Sequence, residues 1–145
     1  MAGTMAITLR ASLKPRLYRD IEIDGKATLH ALAEAITSAF NFDFDHAFGF
    51  FSRLTGHVYD SPVRYELFAD SGADAQSQSV KRTHVVRAFP RVGSKMLFLF
   101  DYGDEWRFLV EVVGQREAVN EGFFTRVVGT AGKAPRQYEV SDDEA

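Results

Sequence analysis

The stretch MLFLFDYGDEWRFLV, residues 96–110, contains two apolar runs separated by a short acidic junction. The first run, Met96–Phe100, is apolar at every position, which is typical of a central strand buried on both faces. In the second run, Trp106, Phe108 and Val110 alternate with the residues between them, which is typical of a strand with one buried face. A glycine among acidic residues favours a turn. The stretch therefore predicts two strands joined by a tight turn.

Two further strands and a helix are predicted near the N-terminus. Residues 7–13 and 17–23 each alternate apolar and polar side chains on either side of Pro15, which predicts a hairpin. Thr28 can cap a following helix, in which apolar residues recur every three or four positions up to Phe40. A strand pair this small cannot bury its own apolar face, so we expect the helix to pack on the sheet.

Shorter elements are predicted in the rest of the chain. Further strands are predicted at residues 47–53, 58–59, 65–68 and 122–132. Thr83 can cap a short helix that stops at Pro90. The order of the elements predicts one α+β domain with a mostly antiparallel sheet, one main helix and a short second helix.

The predicted domain spans residues 6–132. Residues 70–79 are mostly small and polar and have nothing to bury, which predicts a mobile surface loop. Residues 133–145 are predicted to form a flexible acidic tail that includes Asp142, Asp143 and Glu144. Without these three acids the net charge of −3 becomes zero, so no global positive field indicates a nucleic-acid-binding protein.

Composition and motifs exclude several classes of function. The chain has no cysteine, which excludes disulfides, thiolate zinc sites and a cysteine nucleophile. It contains no nucleophile elbow, phosphate-binding loop or dinucleotide-binding motif. The start does not have the pattern of a signal peptide, and the longest apolar run is far shorter than the roughly 20 residues that span a bilayer. We therefore expect a cytoplasmic protein without membrane contacts.

The acids of the junction, together with His46, are the candidates for chemistry. Asp101 and Asp104 flank the turn and can converge on a cation or, with a histidine, transfer protons. Alternatively, both acids accept backbone N–H bonds while Gly103 takes a positive φ, and His46 closes a corner by bonding a carbonyl or Asp45. We favour this architectural interpretation and predict no catalytic residue, metal or cofactor.

A second group of candidate residues is basic. Five cations lie within the fifteen residues 81–95: Lys81, Arg82, Arg87, Arg91 and Lys95. The ordinary interpretation of such a group is a solvated face. The alternative is a surface that contacts phosphates, whose affinity would be strongly salt-sensitive.

Five segments resemble, in order and spacing, the plasmid pRiA4b ORF-3-like family. They are PRLYRDIEI (15–23), TLHALAEAI (28–36), FNFDFDHAFGF (40–50), FLFDYGDEWRF (98–108) and RVVGTAGKAP (126–135). The resemblance covers roughly residues 6–135. It implies an α+β roll, with a helix against a curved sheet, and an association with plasmids and insertion-sequence elements.

The chain departs from the family pattern at polar positions. Phe48 and Arg107 stand where the family usually has histidines, and residues 136–138 stand where it usually has Pro-Glu-Asp. The retained motif residues are Asp101, Tyr102, Gly103, Asp104, Trp106 and His46. A histidine–carboxylate site built from these motifs would have lost two histidines and two acids in this chain.

These observations predict a non-catalytic interaction module of a mobile-element-associated protein, with a protein or a nucleic acid as its partner. Polar residues of the family motifs are missing from this chain, and its remaining polar residues do not form a complete catalytic set. Both observations favour binding over catalysis. The alternative is a metal-dependent or acid/base hydrolase that uses the carboxylates of residues 101–105 and His46.

Overall fold

The computed structural model describes residues 4–71, 77–118 and 124–138. The strands are β1 Thr4–Lys14, β2 Leu17–Asp24, β3 Phe48–Phe51, β4 Arg64–Glu66, β5 Gln78–Ser79, β6 Lys95–Phe100, β7 Trp106–Ala118 and β8 Thr125–Ala131. The helices are α1 Leu29–Ala39 and α2 Val85–Ala88, with single 3-10 turns at Val58–Asp60 and Leu67–Ser71. All eight strands belong to one sheet, in the order β5-β4-β3-β6-β7-β1-β2-β8. Only β4 and β5 pair in parallel, so the chain has the predicted α+β class with a mostly antiparallel sheet.

The two strands on either side of the acidic junction lie at the middle of the sheet. β6 pairs with β7 on one side and with β3 on the other. Phe98 and Phe100 are buried in the core beneath α1, whereas Leu97 and Leu99 are buried in a second cluster with Phe51 on the opposite face. The prediction that residues 96–100 form a central strand buried on both faces is confirmed.

The main helix begins where the sequence predicts it. The hydroxyl of Thr28 accepts a hydrogen bond from the N–H of Ala31 at 3.1 Å, which caps α1. Leu29, Leu32 and Ile36 are fully buried and pack into the core with β1 and β2, the predicted hairpin. In the described part of the chain, neither helix has the length and apolar composition needed to cross a membrane.

The short elements differ from the prediction in three details. The expected strand at 58–59 is a 3-10 turn, and the expected strand at 65–68 continues only as far as Glu66. Thr83 does not cap α2, because its hydroxyl donates to the carbonyl of Ser79 at 2.7 Å. The residue before α2 is His84, which makes no side-chain capping bond.

The predicted loop contains a short strand, and the described part of the predicted tail is irregular but makes tertiary contacts. Within the predicted loop 70–79, Gln78–Ser79 form β5 against Tyr65 and Glu66 of β4, and residues 72–76 lie outside the described residues. Gln137 and Tyr138 of the predicted tail make the side-chain contacts described below. Residues 139–145 lie outside the described residues.

Candidate functional site

The turn of residues 101–105 depends on Asp101. This residue has a φ of +68° and is 7% exposed. Its Oδ1 accepts the N–H groups of Gly103 at 3.0 Å and Asp104 at 3.2 Å, and its carbonyl accepts the N–H of Glu105 at 2.6 Å. Aspartate tolerates the left-handed region better than most residues and bonds the backbone ahead of it. Asp101 therefore has the architectural role favoured from the sequence.

Two details of that architectural prediction are wrong. The positive φ values in this turn belong to Asp101 and to Glu105, at +53°, and not to Gly103. The carboxylate of Asp104 accepts no hydrogen bond from any residue that the structure describes. The side chain of Asp101 alone accepts the N–H groups of the next two turn residues, Gly103 and Asp104. The turn therefore needs neither a positive φ at Gly103 nor a second acidic acceptor.

His46 lies next to this turn. The N–H of Asp101 donates to the carbonyl of Ala47 at 2.8 Å, which ties the turn to the loop between α1 and β3. Nε2 of His46 then lies 3.4 Å from Oδ2 of Asp101 and 3.4 Å from Oδ1 of Asp45. The structure thus brings together His46 and Asp101, as the catalytic alternative requires. Glu105 instead pairs with Arg107 at 2.9 Å.

Two residues of the predicted tail complete this site. The hydroxyl of Tyr138 lies 2.7 Å from Nε2 of His46 and donates to Asp45, with 2.9 Å to Oδ2. The side-chain amide of Gln137 accepts from the N–H of Asp43 at 2.6 Å and donates to its carbonyl at 3.1 Å. No periodic pattern or catalytic motif in the sequence includes Gln137 or Tyr138. Their position at the departure from the family's Pro-Glu-Asp was the only available signal.

We call Asp45, His46, Asp101 and Tyr138 the acid–histidine cluster. Desolvation, followed by the hydrogen bond to Asp45, raises the pKa of Tyr138 to about 12. The phenol therefore keeps its proton at neutral pH and remains a donor to the carboxylate. It can also accept from Nε2 of His46 when that nitrogen carries a proton.

The other motif residues have separate surroundings. The hydroxyl of Tyr102 donates to Oε1 of Glu66 at 2.6 Å, and burial followed by this bond raises the pKa of Tyr102 far above its ordinary value. Tyr102 packs against the second apolar cluster, on the opposite face of the sheet from the core beneath α1. Trp106 packs at a tilt on Phe42, with ring centroids 4.8 Å apart, and its buried indole nitrogen has no hydrogen-bond partner among the described residues.

The acid–histidine cluster forms walls of two cavities. A cleft of about 500 Å³, here called the aromatic–acidic cleft, is lined by His30, Glu34, Phe44, Asp45, His46, Ala47, Phe48, Leu67 and Phe68. A second cavity of about 680 Å³ is lined by Asp104, Glu105, Trp106, Arg136, Gln137 and Tyr138. Because Tyr138 bonds Asp45 and His46, it joins the wall of one cavity to the wall of the other.

The five predicted phosphate-binding residues are all exposed: Lys81, Arg82, Arg87, Arg91 and Lys95. Arg87 lies on α2, and Lys95 is the first residue of β6. None of the five lines either cavity above. Within residues 4–71, 77–118 and 124–138, no group of three or more His, Asp and Glu side chains is arranged to hold a metal ion.

Comparisons with known proteins identify a family and a fold. The sequence model of the family described as plasmid pRiA4b ORF-3-like protein matches residues 2–138, which confirms the resemblance found in the five segments. No curated protein matches the chain. The chain is similar to the crystal structure of a protein of unknown function, MM3350 from Methanosarcina mazei Go1, with a TM-score of 0.70 and 16% sequence identity. That match covers 89% of this chain and 71% of the other, and at this identity it shows the fold alone.

Proposed function

The chain belongs to the plasmid pRiA4b ORF-3-like family, and we propose that it is a non-catalytic binding module for a protein partner. The aromatic–acidic cleft binds a peptide segment that carries a basic side chain next to apolar ones. The observation that carries this proposal is the combination of aromatic walls and carboxylates in one open cleft. Its volume of about 500 Å³ lies within the range of ligand sites.

The apolar part of the cleft is suited to apolar side chains of a partner. Phe44 and Phe48 pack against each other with ring centroids 5.2 Å apart and form a preorganised wall. Phe68 is 62% exposed, the largest exposed fraction among the large apolar side chains of the described residues. Exposed aromatic side chains beside a cleft are typical of protein interaction sites, where they contribute most of the binding energy.

The charges of the cleft favour a basic partner. Glu34 is an exposed residue of α1, and its carboxylate has no hydrogen-bond or ion-pair partner in the described part of the chain. Asp45 supplies a second carboxylate to the same cleft. A lysine or arginine of a partner would be attracted by both acids, whereas a phosphate would be repelled. A basic and apolar peptide therefore suits the cleft better than a nucleic acid does.

The described contacts of His46 do not include a nucleophile of the kind that a hydrolase uses. Nε2 makes every polar contact of this side chain, with Tyr138, Asp45 and Asp101. Nδ1 has no partner among the described residues. A histidine base uses one nitrogen for the orienting carboxylate and the other for the nucleophile or water. No serine or threonine hydroxyl among the described residues contacts Nδ1, so a nucleophile–base pair is not formed.

An acid/base hydrolase is the second candidate function. It is favoured by one observation, the 3.4 Å approach of Oδ2 of Asp101 to Nε2 of His46. A hydrolase of this kind would lose most of its activity in His46→Ala and Asp101→Asn. Turnover of generic ester or peptide substrates that disappears in both variants would favour the hydrolase over the binding module.

Fluorescence anisotropy tests the binding proposal with three labelled probes. The probes are a hexapeptide of alternating Lys and Leu, the same peptide with Glu for Lys, and a single-stranded DNA of similar size. We expect only the Lys–Leu peptide to bind at low micromolar concentration. Glu34→Gln should weaken its binding roughly threefold to tenfold, because one rim carboxylate is lost. Glu117→Gln, which changes an exposed glutamate of β7 outside the cleft, is the matched control.

Two results of this experiment would contradict the proposal. The first is equal affinity for the Lys–Leu and Glu–Leu peptides. The second is preferential, steeply salt-dependent binding of the DNA, which would make a nucleic acid the partner. In that case charge reversal at Arg87 and Arg91 should abolish binding, and the basic residues rather than the cleft would form the site.

Three finer inferences accompany this proposal. We infer that the protein acts in the cytoplasm, since a chain without cysteine suits a reducing compartment. We infer that it serves a mobile element, as the plasmid-derived name of its family suggests. We also infer that the sheet curves into a roll, because register shifts interrupt the pairing of β1 with β2 and β7 and of β2 with β8, and bulges bend strands.

A further inference from the structure

We propose that residues 136–138, here called the strap, are a displaceable segment that contacts Asp45 and His46 and competes in cis with the partner of the aromatic–acidic cleft. This inference rests on the proposed function for the identity of the competitor. The docking and release of the strap can be measured without any partner. The strap would thus be a built-in competitor that a bound peptide must displace.

The strap binds the loop between α1 and β3 in the manner of a short peptide ligand. The amide of Gln137 pairs with both the N–H and the carbonyl of Asp43, at 2.6 and 3.1 Å, which is the pairing that a neighbouring strand would make. Tyr138 adds hydrogen bonds to Asp45 and a 2.7 Å contact with His46. All of these contacts join residues 92 to 94 positions apart in the chain, so they report tertiary docking of the strap.

The strap bonds a carboxylate, that of Asp45, to which the proposed partner also binds. The hydroxyl of Tyr138 lies 3.2 and 2.9 Å from the two carboxylate oxygens of Asp45. Asp45 is also one of the two acids that line the aromatic–acidic cleft. A lysine or arginine brought to Asp45 would compete with the phenol, whereas Glu34 stays open to the same peptide. Partner binding at both acids would therefore favour displacement of the strap.

The contacts of the strap are suited to release. They are polar side-chain bonds, and Arg136 and Tyr138 are exposed, so water can replace them at little cost.

Amide hydrogen exchange at Asp43 measures the strap directly, because the N–H of Asp43 donates to Oε1 of Gln137. In Tyr138→Phe the N–H of Asp43 can still donate to Gln137, but the strap loses the contacts of the Tyr138 hydroxyl. If residues 136–138 dock as one unit, exchange at Asp43 should become at least about threefold faster in this variant. The amide of Phe42, which donates to the carbonyl of Thr37 at 2.8 Å, is the internal control and should not change.

Tyr18→Phe is the matched control variant, because the hydroxyl of Tyr18 has no hydrogen bond with any described residue. It should leave exchange at Asp43 at the wild-type rate. Unchanged exchange at Asp43 in Tyr138→Phe would overturn the proposal, since the phenol would then not hold the strap. Faster exchange at Asp43 in this variant alone supports it.

The Lys–Leu hexapeptide separates this proposal from the proposed function. Added to the wild-type protein, it should accelerate exchange at Asp43, and it should bind Tyr138→Phe at least about threefold more tightly than wild type. Peptide binding without faster exchange at Asp43 would overturn the strap as a competitor. Lack of peptide binding to any variant would overturn the proposed function, while exchange at Asp43 in Tyr138→Phe would still decide whether the strap is held by its phenol.

Discussion

Replacing Asp101 tests the origin of the turn that follows the central strand. Asp101→Ala removes two accepted hydrogen bonds, from Gly103 and Asp104, each of which contributes roughly 1 kcal/mol net. Alanine must also take the φ of +68°, which costs about 1 kcal/mol more than for aspartate. The expected loss is therefore about 3 kcal/mol in the free energy of unfolding. Asp101→Asn keeps the acceptor and the tolerance of this backbone region, so we expect it to lose less than about 1 kcal/mol.

A third variant separates the two causes. Asp101→Gly relieves the backbone but still loses both bonds, so it should be about 2 kcal/mol less stable than wild type. Urea unfolding can be followed by the fluorescence of Trp106, the single tryptophan, which packs on Phe42. Asp60→Ala, at an exposed aspartate without a side-chain partner among the described residues, is the control. An Asp101→Ala midpoint equal to that of Asp60→Ala would refute this account of the turn.

Two further predictions concern stability. Hydrogen bonds from Arg116 and Arg126 outweigh the effect of burial and lower the pKa of Glu22. The ionised carboxylate therefore stabilises the fold at pH values above the ordinary pKa of glutamate. This stabilisation is lost as the pH falls through the lowered pKa. In urea unfolding, Glu22→Gln should therefore lower the free energy of unfolding by about 1–2 kcal/mol at pH 7 and by much less at pH 3. The control variant Glu117→Gln should not show this dependence on pH. An equal loss for Glu22→Gln at both pH values would contradict the prediction. Thr28→Ala should lower the free energy of unfolding by about 1 kcal/mol, because α1 loses its cap, whereas Thr28→Ser should retain most of this stability. Thermal unfolding measures both variants, and equal melting temperatures would exclude a stabilising cap.

The sequence by itself determined the elements whose side chains repeat with one period. The β1–β2 hairpin, α1 and the β6–β7 pair each present an apolar face, and burying that face selects one conformation whatever the neighbours are. The alternation ends at the junction, so the sequence also located the turn of residues 101–105. Which residue there takes the positive φ depended on the hydrogen bonds of Asp101, and periodicity carries no information about these bonds.

Tertiary structure decided the short elements and the completion of the site. β5 is two residues long and exists only because β4 offers it a partner, so no local pattern predicts it. His46 and Asp101 were recognisable as motif residues, and the pairing of β3 with β6 then placed them side by side. Gln137 and Tyr138 could not be predicted to join them, because polar contacts between residues more than ninety positions apart leave no periodic trace in a sequence. Only the folded chain brings those groups within hydrogen-bonding distance of Asp45.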